Sequence, residues 1–345
     1  MTVLGVDIGG ANLKLATASG YSRTIPFAVW REPDRLPEVL AESLRNAVPC
    51  ERIAATTTAE LADCYPTKRE GIAQIYTALM QAADGRPVSV YLTDGRFVAP
   101  AEALCVPHLA AASNWHALAR LAGRLAPSPD AMLIDMGSTT TDIIPLAGGE
   151  PVGQGTTDTE RLLAGELVYL GLTRTPVAAL VRTLPYRGAV CPVARELFAT
   201  ALDAHLWLGT VAEDRESRET ADGRPATRAR ARERLARMVG ADRESFDERD
   251  ARRAARAIDR AQRRIFARGL EQVWHARGRR PATYVLAGQG ERLLTRWLDE
   301  LGVPGARLSL RERLDERVSE AAAAYAVAVL AAEVSSVPAV AANAS

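Results

Sequence analysis

Apolar and polar residues alternate along the chain in stretches that predict strands and helices in regular succession. The first stretch, VLGVDIGGANLKLA (3–16), is an apolar run that reaches an aspartate, turns on two glycines and continues into a second apolar run. Short apolar runs bounded by turn residues are typical of strands, and apolar spacings of three and four are typical of helices. The pattern predicts strands at 3–8, 12–18, 24–30, 52–58 and 87–93, and helices at 36–48, 69–83 and 111–126. This alternation favours an α/β fold with parallel strand pairing.

A second stretch, MLIDMGSTTTDIIPL (132–146), repeats the plan of the first hairpin at an offset of 128 residues. Asp135 takes the place of Asp7, Gly137 that of Gly9, and Asp142 that of Lys14. The repeat predicts an internal duplication, and 345 residues are enough for two domains. We expect lobe I at 1–128 and lobe II at 129–315, with the helix at 316–334 packing back on lobe I.

The segment 212–268 differs in composition, with 17 arginines against 12 acidic residues. Its alanine, arginine and glutamate positions predict an insertion of solvated helices in lobe II. The acids are interleaved with the arginines and aromatic residues are few, so the segment does not favour nucleic-acid binding. A strand, a Gly-x-Gly turn and a helix are predicted after it, at 282–301.

Charge and cysteine usage exclude several classes of partner. The formal net charge is +1, which gives no overall attraction to nucleic acid or to a membrane surface. The four cysteines are scattered and predict reduced thiols rather than a disulfide framework or a zinc site. No signal peptide and no apolar stretch of membrane-spanning length is recognised, so we expect a soluble cytoplasmic protein. The sequence does not indicate an oligomeric state.

The two acidic hairpins have the residue types that bind a metal–diphosphate. Glycines at a strand-to-strand turn leave backbone N–H groups free to bind anions, and hydroxyl or amide side chains in the turn add donors. Mg²⁺ takes one or two carboxylates together with phosphate oxygens, and Asp7 and Asp135 are the candidate ligands. We expect both hairpins to face a shared cleft and to grip one diphosphate.

The predicted phosphate-binding residues are Gly9, Gly10, Asn12, Gly137, Ser138, Thr139, Thr140, Asp142, and the turn Gly288, Gln289 and Gly290. Taken singly, each hairpin could also be an ordinary glycine turn with a capping aspartate.

Lysine is rare in this chain, which gives its two lysines particular interest. Of 43 basic residues only Lys14 and Lys68 are lysines. A compact ammonium group differs from a planar guanidinium in hydration and geometry, so a lysine retained among arginines indicates a specific role. Lys14 is suited to neutralise a phosphoryl oxygen.

The hairpins and the Gly-x-Gly turn resemble those of the actin, Hsp70 and sugar-kinase superfamily, and IDMGSTTTDI is similar to the second phosphate motif of its hydantoinase/oxoprolinase branch. Six motifs in order resemble a small family of tetrahydromethanopterin-linked one-carbon-pathway proteins, whose archaeal members are methanofuran-biosynthesis synthases. Those motifs are DIGGANLKLA, TTTAELADCYPTKREGI, AASNWHALA, RLLAGELVYLGLTRTPV, ADGRPAT and LAGQGE. The resemblance implies a two-lobed actin-like (ribonuclease H-like) fold with an interlobe cleft.

The resemblance also implies the reaction. The donor is an aminomethylfuran methyl diphosphate, and the acceptor is the phenol of a γ-glutamylated tyramine or tyrosine. The exocyclic methylene carbon of the donor is transferred to the phenol oxygen, so that an ether forms and diphosphate is released. Small molecules are then the only expected partners, Mg²⁺ is the expected cofactor, and ATP is a possible ligand that is not expected to be required. The predicted catalytic residues are Asp7, Lys14, Asp135 and, as general base, Glu60, with Asp63 as second choice. The predicted substrate-binding residues are Thr57, Thr58, Lys68, Glu166, Arg174 and Arg224.

Simpler structural roles and other functions stay open at this point. Glu60 could cap a helix, Lys68 could lie exposed on the surface, and Arg224 could stiffen an Asp-Gly turn. The rival functions are an ATP-dependent kinase, a hydantoinase/oxoprolinase-type hydrolase, or a non-catalytic nucleotide-binding sensor. No histidine is assigned to catalysis.

Overall fold

The computed structural model describes residues 2–336, which group into two compact units. Unit 1 contains the chain up to Ala131, the segment Ile144–Arg161, and the described residues from Leu308 onward. Unit 2 contains Met132–Ile143 and Leu162–Arg307. The segment Ile144–Arg161 therefore groups with unit 1, whereas the sequence analysis places it in the second lobe.

Fourteen strands occur in the described residues. In chain order they are β1 Val3–Ile8, β2 Asn12–Thr17, β3 Ser22–Pro26, β4 Arg52–Thr57, β5 Val88–Tyr91, β6 Phe97–Val98, β7 Asp130–Met136, β8 Thr141–Ala147, β9 Glu150–Pro151, β10 Leu167–Val168, β11 Thr183–Tyr186, β12 Ala189–Pro192, β13 Thr283–Ala287 and β14 Ala306–Ser309. The strands predicted near the N-terminus are found, with β3 shifted a few residues toward the start of the chain.

Fourteen α-helices occur in the same part of the chain. In order they are α1 Leu36–Arg45, α2 Lys68–Ala82, α3 Pro100–Cys105, α4 Pro107–Ala110, α5 Asn114–Leu125, α6 Asp158–Ala164, α7 Val177–Leu180, α8 Ala201–Leu208, α9 Arg228–Arg237, α10 Glu248–Arg277, α11 Glu291–Glu300, α12 Leu310–Leu314, α13 Glu316–Glu320 and α14 Ala322–Ser336. None of the helices in this described part combines the length and apolar character needed to cross a lipid bilayer.

Unit 1 is built on a six-stranded sheet in the order β3-β2-β1-β4-β5-β6. The first three strands are antiparallel, and β1, β4 and β5 are parallel to one another. All six residues of β1 are buried, so this strand must be covered on both faces. Leu4, Val6 and Ile8 pack in one core cluster with residues of α1 and α2.

The opposite face of β1 packs closely on α14. A Cβ placed on Gly5 would overlap the carbonyl of Ala324, so the helix approaches the strand more closely than any side chain allows. Alternate residues of a strand share a face, so Asp7 lies on the same side of β1 as Gly5. The close packing of α14 therefore fixes the strand that ends at the first hairpin.

A second sheet has five strands in the order β10-β8-β7-β13-β14, and unit 2 contains most of it. The short strand β9 pairs with the last residues of β8, and both of these parts group with unit 1. The core of unit 2 combines residues of β7 and β13 with Phe266 of α10 and Trp297 of α11. A second cluster joins α8, α9, the first half of α10 and the hairpin β11–β12. The sheet and the helical region thus have separate apolar cores that share α10.

The two sheets have the same strand order. The path β3-β2-β1-β4-β5 in unit 1 corresponds, strand by strand, to β10-β8-β7-β13-β14 in unit 2. This is the order of the ribonuclease H-like fold. The α/β class and the internal duplication predicted from the 128-residue offset are confirmed by this topology.

The arginine-rich segment is helical as predicted, but it is not solvated all round. Helix α10 is 30 residues long and runs past 268 to Arg277. Its alanine face is buried, beginning at Ala251 and Ala254. Arg234 of α9 is fully buried, and its guanidinium donates to Asp203 (2.7 Å) and Asp222 (3.0 Å). These carboxylates compensate the buried charge, which an interior otherwise does not tolerate.

We predict that Gly5→Ala lowers the free energy of unfolding by about 1–3 kcal/mol, because the added methyl group forces α14 away from β1. Gly10→Ala is the matched control, since a Cβ at Gly10 meets nothing within 4 Å. Urea denaturation of both variants and the wild type measures the difference. Equal losses in the two variants would contradict close packing at Gly5.

Candidate functional site

The first hairpin joins β1 to β2 and places an acid opposite a lysine. Gly9 N–H donates to the carbonyl of Asn12 at 2.9 Å and closes the turn. The antiparallel register sets Asp7 directly across from Lys14. Asp7 is buried, and within the described residues its Oδ1 has no hydrogen-bond partner. Burial raises the pKa of the Asp7 carboxyl, and the charge of Lys14 lowers it in part.

The second hairpin, between β7 and β8, closes in the same way. Gly137 N–H donates to the carbonyl of Thr140 at 2.9 Å, which is the first hairpin's bond displaced by 128 residues. Asp135 lies at the end of β7 and is half-buried, as are the hairpin residues from Gly137 to Thr140. Asp142 lies on β8, paired with Leu167 of β10.

The Gly-x-Gly turn packs directly on the second hairpin. Gly288 has a φ of +84°, and a Cβ there would overlap Oδ1 of Asp135 and the carbonyl of Met136. Gly290 N–H donates to the Met136 carbonyl at 2.9 Å. Gln289 is the exposed residue between them, and α11 begins immediately after the turn. The structure thus places Gly288 and Gly290 against the second hairpin, and the role of these residues in binding phosphate stays a prediction.

The segment after β10 supports the second hairpin from another side. Leu172 N–H donates to the carbonyl of Gly137 (3.0 Å), and Arg174 N–H donates to that of Ser138 (2.9 Å). Gly171 lies against the same turn, since a Cβ there would overlap the Ser138 carbonyl. Arg174 is exposed, and its backbone amide helps to position the hairpin.

A buried polar chain holds Gly171 in place. Gln262 of α10 donates from Nε2 to the Gly171 carbonyl at 3.1 Å, and its Oε1 lies 2.9 Å from Nε2 of His205. Because that oxygen can only accept, His205 must be protonated on Nε2. Burial lowers the pKa of His205 to about 4, which keeps the ring neutral at physiological pH. Gln262 was not predicted from the sequence, because a glutamine inside a helix gives no local signal.

Glu60 is a buried carboxyl in the turn that follows β4. Its Oε2 has no hydrogen-bond partner in the described part of the chain, and Gly71 of α2 packs against its backbone. The pKa of Glu60 is raised to about 7, chiefly by burial. The charge of Asp158 adds to the rise, while backbone hydrogen bonds and the charge of Lys68 oppose it. The turn is fixed by Thr57, whose hydroxyl donates to the Ile8 carbonyl at 2.8 Å and accepts from Ala59 N–H at 3.0 Å.

Tyr76 is a further polar residue of this region that sequence analysis missed. It lies on the buried face of α2, and its hydroxyl has no partner among the described residues. Burial raises the pKa of Tyr76 well above its usual value, and the charges of Glu60 and Asp7 add to the rise. A tyrosine at helical spacing is indistinguishable from a core residue in the sequence, which is why it was overlooked. Asp7, Glu60 and Tyr76 are thus among the buried polar side chains of unit 1 that have an atom without a hydrogen-bond partner in the described residues.

The remaining predicted substrate-binding residues occupy different settings. Lys68 begins α2 and pairs with Asp158 at 3.0 Å. Thr58 is half-buried, and its N–H donates to the Ile8 carbonyl at 3.0 Å. Glu166 is buried, and its backbone carbonyl accepts from Ile143 N–H. Arg224 is exposed in a turn beside α9, where it pairs with Glu233 at 3.4 Å. Their roles in binding stay predictions, as does the joint grip of one diphosphate by both hairpins.

The donor set of the first hairpin fits Mg²⁺ bound with its substrate. No group of three or more histidine, cysteine or acidic side chains within the described residues could hold a metal by itself. Mg²⁺ in phosphate chemistry requires fewer protein ligands, since waters and phosphate oxygens complete its shell. The unpartnered Oδ1 of Asp7 is suited to be such a ligand.

Two sheets of the same order, each with an acidic glycine hairpin at the end of its central strand, define a protein of the actin-like, ribonuclease H-like class. A family profile described as hydantoinase/oxoprolinase matches residues 51–334. The chain belongs to this family.

Two curated relatives are similar over much of the chain. The "(4-{4-[2-(gamma-L-glutamylamino)ethyl]phenoxymethyl}furan-2-yl)methanamine synthase" of Methanocaldococcus jannaschii is 33% identical over 331 residues, 95% of this chain and 97% of that protein. The synthase of the same name from Methanococcus vannielii is 30% identical over 201 residues, 58% of this chain and 89% of that protein. Among solved structures, an archaeal actin homolog in complex with ADP covers 96% of this chain and 100% of its own, with a TM-score of 0.45 and 13% identity.

We predict that Gly288→Ala weakens binding of Mg²⁺–pyrophosphate by about tenfold or more, because the new methyl group displaces the Asp135 carboxylate. Gly302→Ala is the matched control, since Gly302 also has a positive φ (+63°) but faces open space. Calorimetric titration measures the affinity, and thermal unfolding measures the strain common to both variants. Unchanged affinity in Gly288→Ala would show that the turn does not position Asp135 for a ligand.

We predict that Glu60→Gln stabilises the protein above pH 7 by about 2–4 kcal/mol relative to the wild type, and has little effect below pH 4.5. The folded pKa exceeds the unfolded value of 4.5, so wild-type stability falls as pH rises through this window. Urea denaturation at pH 5 and pH 8 measures the effect.

Glu160→Gln is the control, because its expected effect on stability at neutral pH is opposite in sign to that of Glu60→Gln. Backbone N–H groups of Thr156 and Thr157 bond to the Glu160 carboxylate and lower its pKa to about 2. This variant should lose stability at neutral pH, and the loss should fade as pH falls from 4.5 to about 2. Parallel pH curves for Glu60→Gln and the wild type would contradict a buried, high-pKa carboxyl at position 60.

Proposed function

We propose that this protein is a transferase that joins an aminomethylfuran methyl group to the phenol oxygen of a γ-glutamylated tyramine or tyrosine. The methyl diphosphate of the furan is the donor, and diphosphate is the leaving group. The observation that carries the proposal is the 33% identity to the M. jannaschii synthase, which extends over 95% of this chain. The name of that relative describes a furan linked to a phenol through a methylene ether. The product belongs to methanofuran-type cofactor biosynthesis.

The first hairpin provides what a departing diphosphate needs. Lys14 would neutralise a phosphoryl oxygen, and the backbone N–H groups of Gly10 and Ala11 lie in a turn suited to anions. Asp7 would hold Mg²⁺, which when bound supplies positive charge to the leaving group. The second hairpin, with Asp135 and its hydroxyl-bearing turn, has the corresponding donors in unit 2.

The bond changes follow from the chemistry of the furan. The exocyclic C–O bond breaks, its electron pair leaves with the diphosphate, and the furan ring stabilises the positive charge that develops on carbon. The phenol oxygen then forms the ether bond to that carbon and releases its proton. Stabilising the leaving group is the main electrostatic task of the site.

Glu60 is the group that we propose takes the phenol proton. Its pKa of about 7 leaves a substantial fraction of the carboxylate ionised at neutral pH, and a base is most effective when its pKa lies near the working pH. The buried setting excludes water that would otherwise compete with the phenol for the carbon. Tyr76 is a second buried group on which the charge of Glu60 acts, and its unpartnered hydroxyl would donate a hydrogen bond to the acceptor oxygen.

The proposal is tested by incubating the protein with the furan methyl diphosphate, Mg²⁺ and γ-glutamyltyramine, in the absence of ATP. The expected result is stoichiometric release of pyrophosphate and formation of the ether, detected by mass spectrometry. Asp7→Asn and Asp135→Asn should each lower turnover by about a hundredfold or more. Ether formation only when ATP is added would overturn the ATP-free reaction.

The family profile favours one alternative, an ATP-dependent cyclic-amide hydrolase of the hydantoinase/oxoprolinase type. That activity would release phosphate from ATP without any furan substrate. The same incubation with ATP and without the furan diphosphate separates the two functions.

We predict that Lys14→Arg lowers kcat by about tenfold or more while leaving unfolding free energy nearly unchanged. Both side chains are cationic, but the planar guanidinium cannot place its charge as a compact ammonium does. Steady-state kinetics and urea denaturation measure the two effects. The control is Arg23→Lys on β3, which makes the reverse exchange of the same two cationic side chains at another strand position. If Lys14→Arg were fully active, the rarity of lysine in this chain would no longer indicate a specific role for Lys14.

A further inference from the structure

The second lysine of the chain takes part in an ion pair that connects distant parts of the sequence. Lys68 Nζ lies 3.0 Å from Oδ2 of Asp158, a residue that sequence analysis did not single out. The two side chains are 36% and 18% exposed, so the pair lies at the surface of unit 1 but is partly shielded from water. It is thus accessible to a ligand.

The backbone on both sides of the pair is fixed. Thr67 caps α2 by accepting from Glu70 N–H, which sets the position of Lys68 at the first helical residue. Asp158 begins α6, one turn before the buried Arg161, whose guanidinium lies 3.7 Å from Asp158 Oδ1. That guanidinium lies over the ring of Trp115 at 4.2 Å. The backbone at Lys68 and the carboxylate of Asp158 are therefore positioned by groups that remain when a ligand separates the pair.

The pair lies beside the proposed base. The charges of Lys68 and Asp158 both act on the Glu60 carboxyl, and Glu60 Oε2 is buried without a partner in the described residues. Three groups of unit 1 that could meet a polar substrate thus lie near one another, and two of them carry opposite charges.

We propose that Lys68 and Asp158 bind the free amino-acid head of the acceptor's γ-glutamyl group, with the α-carboxylate on Lys68 and the α-ammonium on Asp158. This inference rests on the proposed function and names a specificity determinant for its acceptor. A glutamyl group linked through its γ-carbonyl keeps both α-charges free, and their close spacing matches the ion pair. Rotatable bonds between the head and the phenol allow the oxygen to reach the reacting carbon.

The charge balance supports this role. Binding would replace one ion pair within the protein by two ion pairs with the ligand, so no charge is left uncompensated. An acceptor that lacks either charge would leave Lys68 or Asp158 facing a neutral group, and would bind less well. Free tyramine, which lacks the whole head, would be the poorest acceptor.

The test compares four acceptors in the wild type and in Lys68→Gln and Asp158→Asn. The acceptors are γ-glutamyltyramine, glutaryl-tyramine without the ammonium, 4-aminobutyryl-tyramine without the carboxylate, and tyramine. In the wild type, removing either charge should raise the acceptor KM about tenfold, with kcat changed much less. Lys68→Gln should no longer discriminate against the acceptor without a carboxylate, yet still discriminate against the one without an ammonium. Asp158→Asn should show the reverse.

The control is Arg120→Gln. This substitution breaks another ion pair of unit 1, in which Arg120 Nε lies 2.8 Å from Glu150 Oε2. It should leave all four acceptor KM values unchanged. A second readout needs no reaction: γ-glutamylethylamide, which has the head but no phenol, should bind to the wild type and to Arg120→Gln but not to Lys68→Gln or Asp158→Asn.

The outcomes are distinguishable. If the wild type forms no ether from γ-glutamyltyramine, the proposed function fails. If it forms ether but Lys68→Gln and Asp158→Asn discriminate among acceptors as the wild type does, the inference about the ion pair is overturned. A rise in the KM of the furan diphosphate alone would also overturn it, since Lys68 would then serve the donor.

Discussion

The same hydrogen bond closes each glycine hairpin and determines its shape. The N–H of the glycine two residues after the aspartate donates to the carbonyl three residues further along the chain. Gly9 and Gly137 each make this bond at 2.9 Å. It turns the chain sharply at the end of a buried central strand, so the last acidic side chain of the strand is brought to the mouth of the turn. In the described part of the chain, the amides of the two residues inside each turn (Gly10 and Ala11, Ser138 and Thr139) make no backbone hydrogen bond within the hairpin. Anion binding and metal binding thus arise from the same turn.

A cost in stability accompanies this arrangement. Unit 1 buries carboxyl groups with unpartnered oxygens in Asp7 and Glu60, and burial of such groups opposes folding unless a ligand completes their bonds. The surrounding core offsets this, since β1 is covered on both faces and Gly71 brings α2 close to Glu60. Unpartnered buried groups of this kind are typical of sites that are completed by a substrate or a metal.

The sequence was sufficient for the hairpins and the duplication, because a strand, an aspartate and a glycine turn are local features that recur at a fixed offset. The Gly-x-Gly turn was predicted for the same reason. The sequence could not show which distant residues support these turns. Gln262 contacts Gly171 across 91 residues, and Asp158 meets Lys68 across 90. Burial was also underestimated in the arginine-rich segment, since alanine spacing alone does not reveal that Arg234 is compensated by two acids.

The packing of α14 on β1 has a consequence for the order in which the chain acquires its structure. The strand that leads into the first hairpin is synthesised early, but the helix that covers its Gly5 face is made more than 300 residues later. A nascent chain emerging from the ribosome therefore carries a central strand with one apolar face open to solvent throughout the synthesis of unit 2. During that interval unit 2, whose sheet and helices come from a nearly continuous stretch, has the better opportunity to fold first, and unit 1 closes around its acidic turn only afterwards.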